Sequence, residues 1–399
     1  MKNLKKPPQK RHLGIHFLFV CLAGIAVSCS HPLKTDGQKP SANRFSEPTS
    51  RDRYADDVGR FLAGSPARPG SQFAAQQQRD EWVEHRRELD RRWSKIEDES
   101  LPAMRAFQKQ ELSGISIANF TVFYPFSGPD ALMVAIFFPQ SPTYVMVGLE
   151  PAGTLPTPRQ LAGKDLGEYL ASVRATIASE LSRSFFITRQ MDRQFRGQVT
   201  DGLVLPILQL LVRTGHTILG FRYVRLDDAG QIVERAADYK APGKIGNKGV
   251  ELDFRTDGDQ SVHKLFYFSV NLSDDRLRHN RAFLSFLASL KGATTFLKAT
   301  SYMPHKQEFS TIRERILSNS LAVLQDDSGI PYRFFTPARW RVQLYGDYVR
   351  PYGSFRWYQQ ANLRNAYLTS GPKALGFRIG YGYGRVPSNL QLATTVAVR

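Results

Sequence analysis

"VFYPFSGPDALMVAIFFPQSPTYVMVGLEP", residues 122–151, carries the pattern on which the fold turns. An apolar run ends in the turn Ser127-Gly128-Pro129, a helix-like segment follows, and a second apolar run ends in an acid, Glu150. Ser127 and Pro129 suit the cap and first turn of that helix. Strand, helix and strand in this order predict a parallel unit rather than a hairpin.

The alternation continues downstream. Leu166, Leu170, Val173, Ile177, Leu181 and Phe185 recur at helical spacing within 165–196, and 203–212 is apolar enough for a buried helix. Segments 217–227 and 231–238 flank Asp228-Ala229-Gly230 as a hairpin. "GVELDFR" (249–255) and "KLFYFSVNL" (264–272) read as strands, the second apolar on both faces as a covered central strand would be. A helix at 282–290, a strand at 294–302 and a helix over 310–325 follow, and "PYRFF" (331–335) and "RVQLYGDYV" (341–349) are expected to pair. The expected class is α/β: a three-layer, mostly parallel, Rossmann-like sheet with an antiparallel C-terminal part. Upstream, 54–63 and 73–112 have helical character, with Trp82, Leu89, Trp93 and Ile96 on one face, giving a helical leader.

The N-terminus reads as an export signal. Lys2, Lys5, Lys6, Lys10 and Arg11 precede an apolar stretch, Leu13 to Val27, which is short for a membrane span. Ala26-Val27-Ser28-Cys29 resembles the bacterial lipobox, whose cysteine is acylated; the same residues also suit an ordinary cut after Ser28, giving a secreted product. Cys21 and Cys29 are the only cysteines, so removing the signal leaves one thiol without a partner, which favours lipid attachment at Cys29. Ser30 after the cysteine resembles sorting to the outer membrane, with the body facing the periplasm. The expected division is 1–28 signal peptide, 29–50 polar tether, 51–115 helical leader, 116–350 α/β core and 351–399 basic aromatic extension.

Charge is unevenly placed. Losing the five basic residues of the signal takes the formal charge from +18 to +13. Residues 331–399 hold ten Lys or Arg against one acid, Asp347, and fourteen aromatics. Arginine beside rings suits anionic surfaces and sugars, and Arg339, Arg341, Arg350, Arg356, Trp357 and Arg378 are the candidates here. The alternative is that the rings are core and the arginines a solvated rim. In an exported protein the expected partners are a membrane (through the lipid), peptidoglycan, lipopolysaccharide or an envelope protein; nucleic acid is not expected. No CxxC pair, HExxH, P-loop, EF-hand or GxSxG motif occurs, so no metal site and no cofactor are expected.

The order of elements resembles the Rossmann-like fold of S-adenosylmethionine-dependent methyltransferases, in which a glycine turn follows the first strand and an acid ends the second. This chain has one glycine, Gly128, where that family uses several, and Pro129 lacks the N–H a bound anion would take. The resemblance therefore implies architecture, as a degenerate scaffold without cofactor. From about Tyr54 onward the chain also resembles a group of bacterial exported proteins, through "YPFSGPD", "GLEP", "FSVNLSDD" and "QDDSGIP"; that resemblance implies no mechanism.

Open α/β sheets bind ligands beyond the carboxyl ends of their strands. The residues expected there are Ser127, Asp130, Glu150, Ser269, Asn271, Tyr302 and His305; the alternative is that these are ordinary turn and cap residues, for which Ser, Asp and Asn are common. Two chemistries fit such a crevice: acid/base work on a glycan by Asp130 with Glu150, or an ester hydrolase in which His305 activates Ser127 or Ser301 with Asp274 orienting the ring. Asp326 and Asp327 read as the turn that ends the preceding helix. The favoured expectation is a non-enzymatic, lipid-anchored binding or scaffold protein; an envelope hydrolase is the alternative.

Overall fold

The computed structural model describes residues 49–115, 120–161, 165–183, 202–239, 247–382 and 388–396. The expectations placed on residues 1–48, Cys29 among them, lie outside the described residues.

The fold is α/β, built on one ten-stranded mixed sheet. Its strands are β1 Thr121–Pro125, β2 Thr143–Gly148, β3 His216–Leu226, β4 Ile232–Glu234, β5 Lys248–Thr256, β6 Val262–Ser269, β7 Ala293–Leu297, β8 Ser320–Gln325, β9 Trp340–Gly346 and β10 Asn389–Thr395. Their spatial order is β4-β3-β5-β6-β2-β1-β7-β8-β10-β9. The centre, β6-β2-β1-β7-β8, is parallel. Both flanks are antiparallel, through β5, β3 and β4 on one side and β10 with β9 on the other. The expectation of a mostly parallel sheet holds in the middle and the expected antiparallel C-terminal part is present as β10 with β9; the correction is that the β5-β3-β4 margin is antiparallel as well.

Alternation along the central strands builds two cores. Val122, Tyr124, Tyr144 and Met146 face one core with helices Ser50–Leu62, Asp80–Glu99, Ala131–Phe137 and Val204–Arg213. Phe123, Val145, Val147 and Phe268 face the other, with helices Arg281–Ser289 and Ser310–Asn319. A period-two strand that is apolar at every position needs a cover on each side, and the helices supply it.

The N-terminal helices belong to the first core. Trp82 Nε1 donates to the Phe61 carbonyl at 3.0 Å and the Leu62 carbonyl takes Gln209 Nε2 at 2.8 Å. Helix Ser50–Leu62 also lies along β3, which β4 covers only at Val224–Leu226. Asp52 Oδ1 and Asp56 Oδ1 accept the Phe221 and Ile218 N–H groups at 2.8 Å each. Carboxylates thus satisfy the edge where a neighbouring strand is missing.

Three further expectations are corrected. The segment 310–325 is a helix only to Asn319; Ser320–Gln325 is β8, because Ala322, Val323 and Leu324 fill both faces of the sheet next to β7. "PYRFF" does not pair with the strand after it: Tyr332–Phe334 is a 3-10 turn, and β9 pairs instead with β10, which inserts between β8 and β9. The expected strand 294–302 stops at Leu297, beyond which Ala299, Ser301 and Tyr302 take left-handed backbone angles, with φ of 49°, 55° and 53°.

Candidate functional site

The carboxyl ends of β1, β2, β6 and β7 surround one cavity of about 290 Å³. It lies where the chain order reverses, with β2 and β6 on one side of β1 and β7 on the other. Ligands in open α/β sheets collect at such a reversal because neighbouring loops diverge there.

Its floor is charged. Asp130, the N-cap of helix Ala131–Phe137, accepts Met133 N–H on Oδ1, while Oδ2 takes Tyr124 Oη at 2.7 Å and Lys298 Nζ at 2.5 Å. Both members of the ion pair are buried. Helix capping therefore falls to Asp130 and not to Ser127, whose N–H and Oγ both reach back to the Val147 carbonyl, at 3.0 and 3.3 Å.

The β2 side carries Glu150. Tyr267 Oη donates to the Glu150 carbonyl at 2.7 Å, and burial followed by the Glu150 charge holds that phenol well above its ordinary range. Gly148 leaves room for the arrangement: a Cβ there would stand 2.5 Å from Tyr267 Oη and 3.3 Å from Glu150 Oε2. Leu149 projects at the mouth, 56 % exposed, and Phe126, Val270, Leu272, Met303 and Phe309 make much of the remaining wall apolar.

The β7 side is held from behind. Asp326 Oδ2 accepts Ala299 N–H at 2.9 Å, Ser328 Oγ accepts Thr300 N–H at 2.9 Å, and Tyr381 Oη accepts Ser301 N–H at 3.0 Å. Tyr302 Oη donates to Asp327 Oδ2 at 2.5 Å, and its ring stacks on Tyr358 and Tyr381 with centroids 5.0 and 6.0 Å away. Left-handed angles at three nearby non-glycine residues cost energy that these contacts offset. Asp326 and Asp327 follow a strand, not a helix, and are buried supports of the wall; that expectation is corrected. Burial, then the neighbouring Asp326 charge, pushes the Asp327 carboxyl up to about 7.

Of the residues expected at the strand ends, Ser127, Asp130, Glu150 and Asn271 line the cavity. Ser269 donates to the Leu149 carbonyl beside it. Tyr302 and His305 lie behind the wall, His305 Nε2 meeting the Asp327 carbonyl at 3.2 Å with burial lowering its pKa to about 4. Asp274 sits apart, accepting Ser310 Oγ and Thr311 N–H where helix Ser310–Asn319 begins. The expected Ser-His-Asp grouping is corrected: Ser301 Oγ meets Tyr381 Oη, Ser127 Oγ meets the Gly128 and Val147 carbonyls, and among the described residues neither serine has an imidazole partner. Sequence reading missed Lys298, whose place inside an apolar strand ending was the available signal.

In the C-terminal region, Arg339, Arg341, Arg350, Arg356, Trp357 and Arg378 are exposed, whereas Trp340 and Tyr345 are core. Tyr383 lies outside the described residues. Among the described residues no cluster of His, Cys, Asp and Glu has the arrangement of a metal site, and no helix is long and apolar enough to cross a membrane. Neither protein-family models, curated proteins nor solved structures give a match to this chain.

Proposed function

We propose that this is a binding protein of the bacterial cell envelope, anchored through lipid on Cys29, whose strand-end crevice takes a small ligand bearing hydroxyl groups and an apolar portion. The observation that carries the reading is the crevice itself. It joins an acceptor-rich side, Glu150 and Asn271, to an apolar wall, and its volume of about 290 Å³ is near the lower end of the ~300–1,000 Å³ usual for small-molecule sites. An acylated mono- or disaccharide has the required chemistry.

Binding is favoured over hydrolysis because the acids and hydroxyls of the site are committed elsewhere. Asp130 is neutralised by Lys298 and fixed by Tyr124 and Met133 N–H. Ser127 donates to carbonyls and is not activated by a base. Glu150 is the remaining carboxylate of the lining, and one carboxylate does not supply the acid and base pair that glycan hydrolysis uses.

The parallel centre closed by the antiparallel β10–β9 pair supports the resemblance to the methyltransferase scaffold at the level of architecture. The methyl-donor cofactor of that family is not part of this reading, because Ser127 N–H is spent on Val147 and Pro129 has none to offer. A second reading, that the C-terminal region holds an anionic envelope partner, draws on its exposed arginines and on Trp357, which is 77 % exposed.

The test is a thermal-shift screen of full-length protein against mono- and disaccharides and their acylated forms. A compound in the class should raise Tm, and Glu150→Gln should abolish the shift measured against the variant's own unliganded Tm. A screen without a hit, or hits indifferent to Glu150→Gln, would remove the crevice reading.

A further inference from the structure

The 52 residues from Tyr348 to Arg399 contain seven Lys or Arg and no Asp or Glu. Within them, the chain over 350–357 departs from the usual rule that large rings turn inward. Residues Gly353–Tyr358 form a 3-10 helix, in which positions three apart share a face. Phe355 and Tyr358 take the inner face and pack on Tyr302, with centroids 5.0 Å away in each case. Arg356 and Trp357 are thereby turned out, with the guanidinium 4.6 Å above the indole. Trp357 is 77 % exposed and Tyr352 44 %, while Trp82, Trp93 and Trp340 are at 9 % or less. Among the described residues no carboxylate pairs with Arg350 or Arg356.

Solvated arginine in one short turn with an exposed indole and a part-exposed phenol matches the chemistry of a membrane interface. The rings have an apolar body and a polar tip suited to headgroup depth, and arginine binds phosphate in paired hydrogen bonds. A carbohydrate surface would ask for carboxylates or amides to take hydroxyl groups, and this turn has no acid.

We propose that the turn 350–357 is a peripheral membrane contact, in which Trp357 and Tyr352 enter the interface and Arg350 and Arg356 take the phosphates of anionic lipids. It rests on the reading that the C-terminal region meets an anionic partner, and names that partner. The consequence is that the body is held against the bilayer at a second point, independent of the N-terminal attachment.

Because three of the four tryptophans are buried, Trp357 reports on itself. Full-length protein is reconstituted in vesicles of brominated phosphatidylcholine, with or without brominated phosphatidylglycerol, and tryptophan emission is read. Quenching is expected in the phosphatidylglycerol vesicles, relieved by added salt and absent in Trp357→Phe. Arg350→Gln and Arg356→Gln should each lower the ratio of engaged to free turn about five-fold. Quenching that is absent, equal in the two lipids, or retained in Trp357→Phe would overturn the proposal. A parallel arm measures protection of Trp357 from acrylamide by dextran sulfate. Protection there without quenching by vesicles overturns the membrane contact and leaves the anionic-partner reading standing; neither signal defeats both.

Discussion

Lys298 Nζ lies 2.5 Å from Asp130 Oδ2, and the two side chains are each 2 % exposed. One residue follows β7, the other opens the helix after β1, so the pair ties together the strands on either side of the reversal in chain order. Taking two charges out of water is costly, and each depends on its partner. Lys298→Met should therefore lower the unfolding free energy by ~3–5 kcal/mol, because it leaves the buried carboxylate without its cation. The double variant Lys298→Met/Asp130→Leu should lose less than Lys298→Met alone. Urea denaturation of Lys298→Met, Asp130→Leu, the double variant and the parent checks both statements, and a double variant as unstable as the sum of its parts would show that the pair is not coupled.

A second prediction concerns acid. Burial holds His85, His216 and His305 at about 4 in the folded state, below the ordinary value of 6.5. The unfolded chain binds more protons at these sites, so their contribution is present above 6.5 and is lost as pH falls towards 4. Asp327 works in the opposite sense. Burial raises its carboxyl above 3.8, and that of buried Asp326 beside it is raised as well, so their contribution is present below 3.8 and is lost as pH rises above it. Asp327→Asn weakens this opposing contribution, and stability between pH 4 and 6.5 should fall more steeply on acidification than in the parent. Chemical denaturation across that window gives the two slopes; equal slopes would rule out the assignment to Asp327.

The third prediction addresses the open edge of β3. Asp56 is buried, accepts Ile218 N–H and pairs with Arg60 and Arg68 at 2.8 and 2.9 Å. Asp56→Ala leaves a buried N–H unpaired, which should cost ~1–3 kcal/mol. Amide exchange at Ile218 should accelerate while that at Val250 on β5 is less affected, and the variant should aggregate sooner on warming through the exposed edge.

Legibility in the sequence followed the reach of each signal. The segment 122–151 gave its strand, helix and strand correctly because apolar periodicity and the Gly128-Pro129 turn are local. The crevice was partly legible for the same reason: strand endings can be read one at a time, and Ser127, Asp130, Glu150 and Asn271 do come together. What failed depended on distant residues. Ser320–Gln325 continues a helical pattern and becomes a strand only because β7 and β10 offer their edges. Asp326 and Asp327 have the look of a surface turn until Ala299, Tyr302 and Asn389 are placed against them. Lys298 stands out locally only as a lysine in an apolar strand ending; its partner, a buried carboxylate 168 positions earlier, is not a local signal.

The left-handed loop after β7 has a consequence for how the molecule matures. Its N–H groups are gripped by Ser328 and Tyr381, and Asp327 is in turn held by Asn389. A chain halted before residue 380 would possess the parallel centre and the floor pair, yet one rim of the recess would be unfastened. If the recess binds the proposed ligand, recognition would wait until synthesis is nearly finished, and nicked or prematurely ended copies should be inert towards it even where their middle strands are formed.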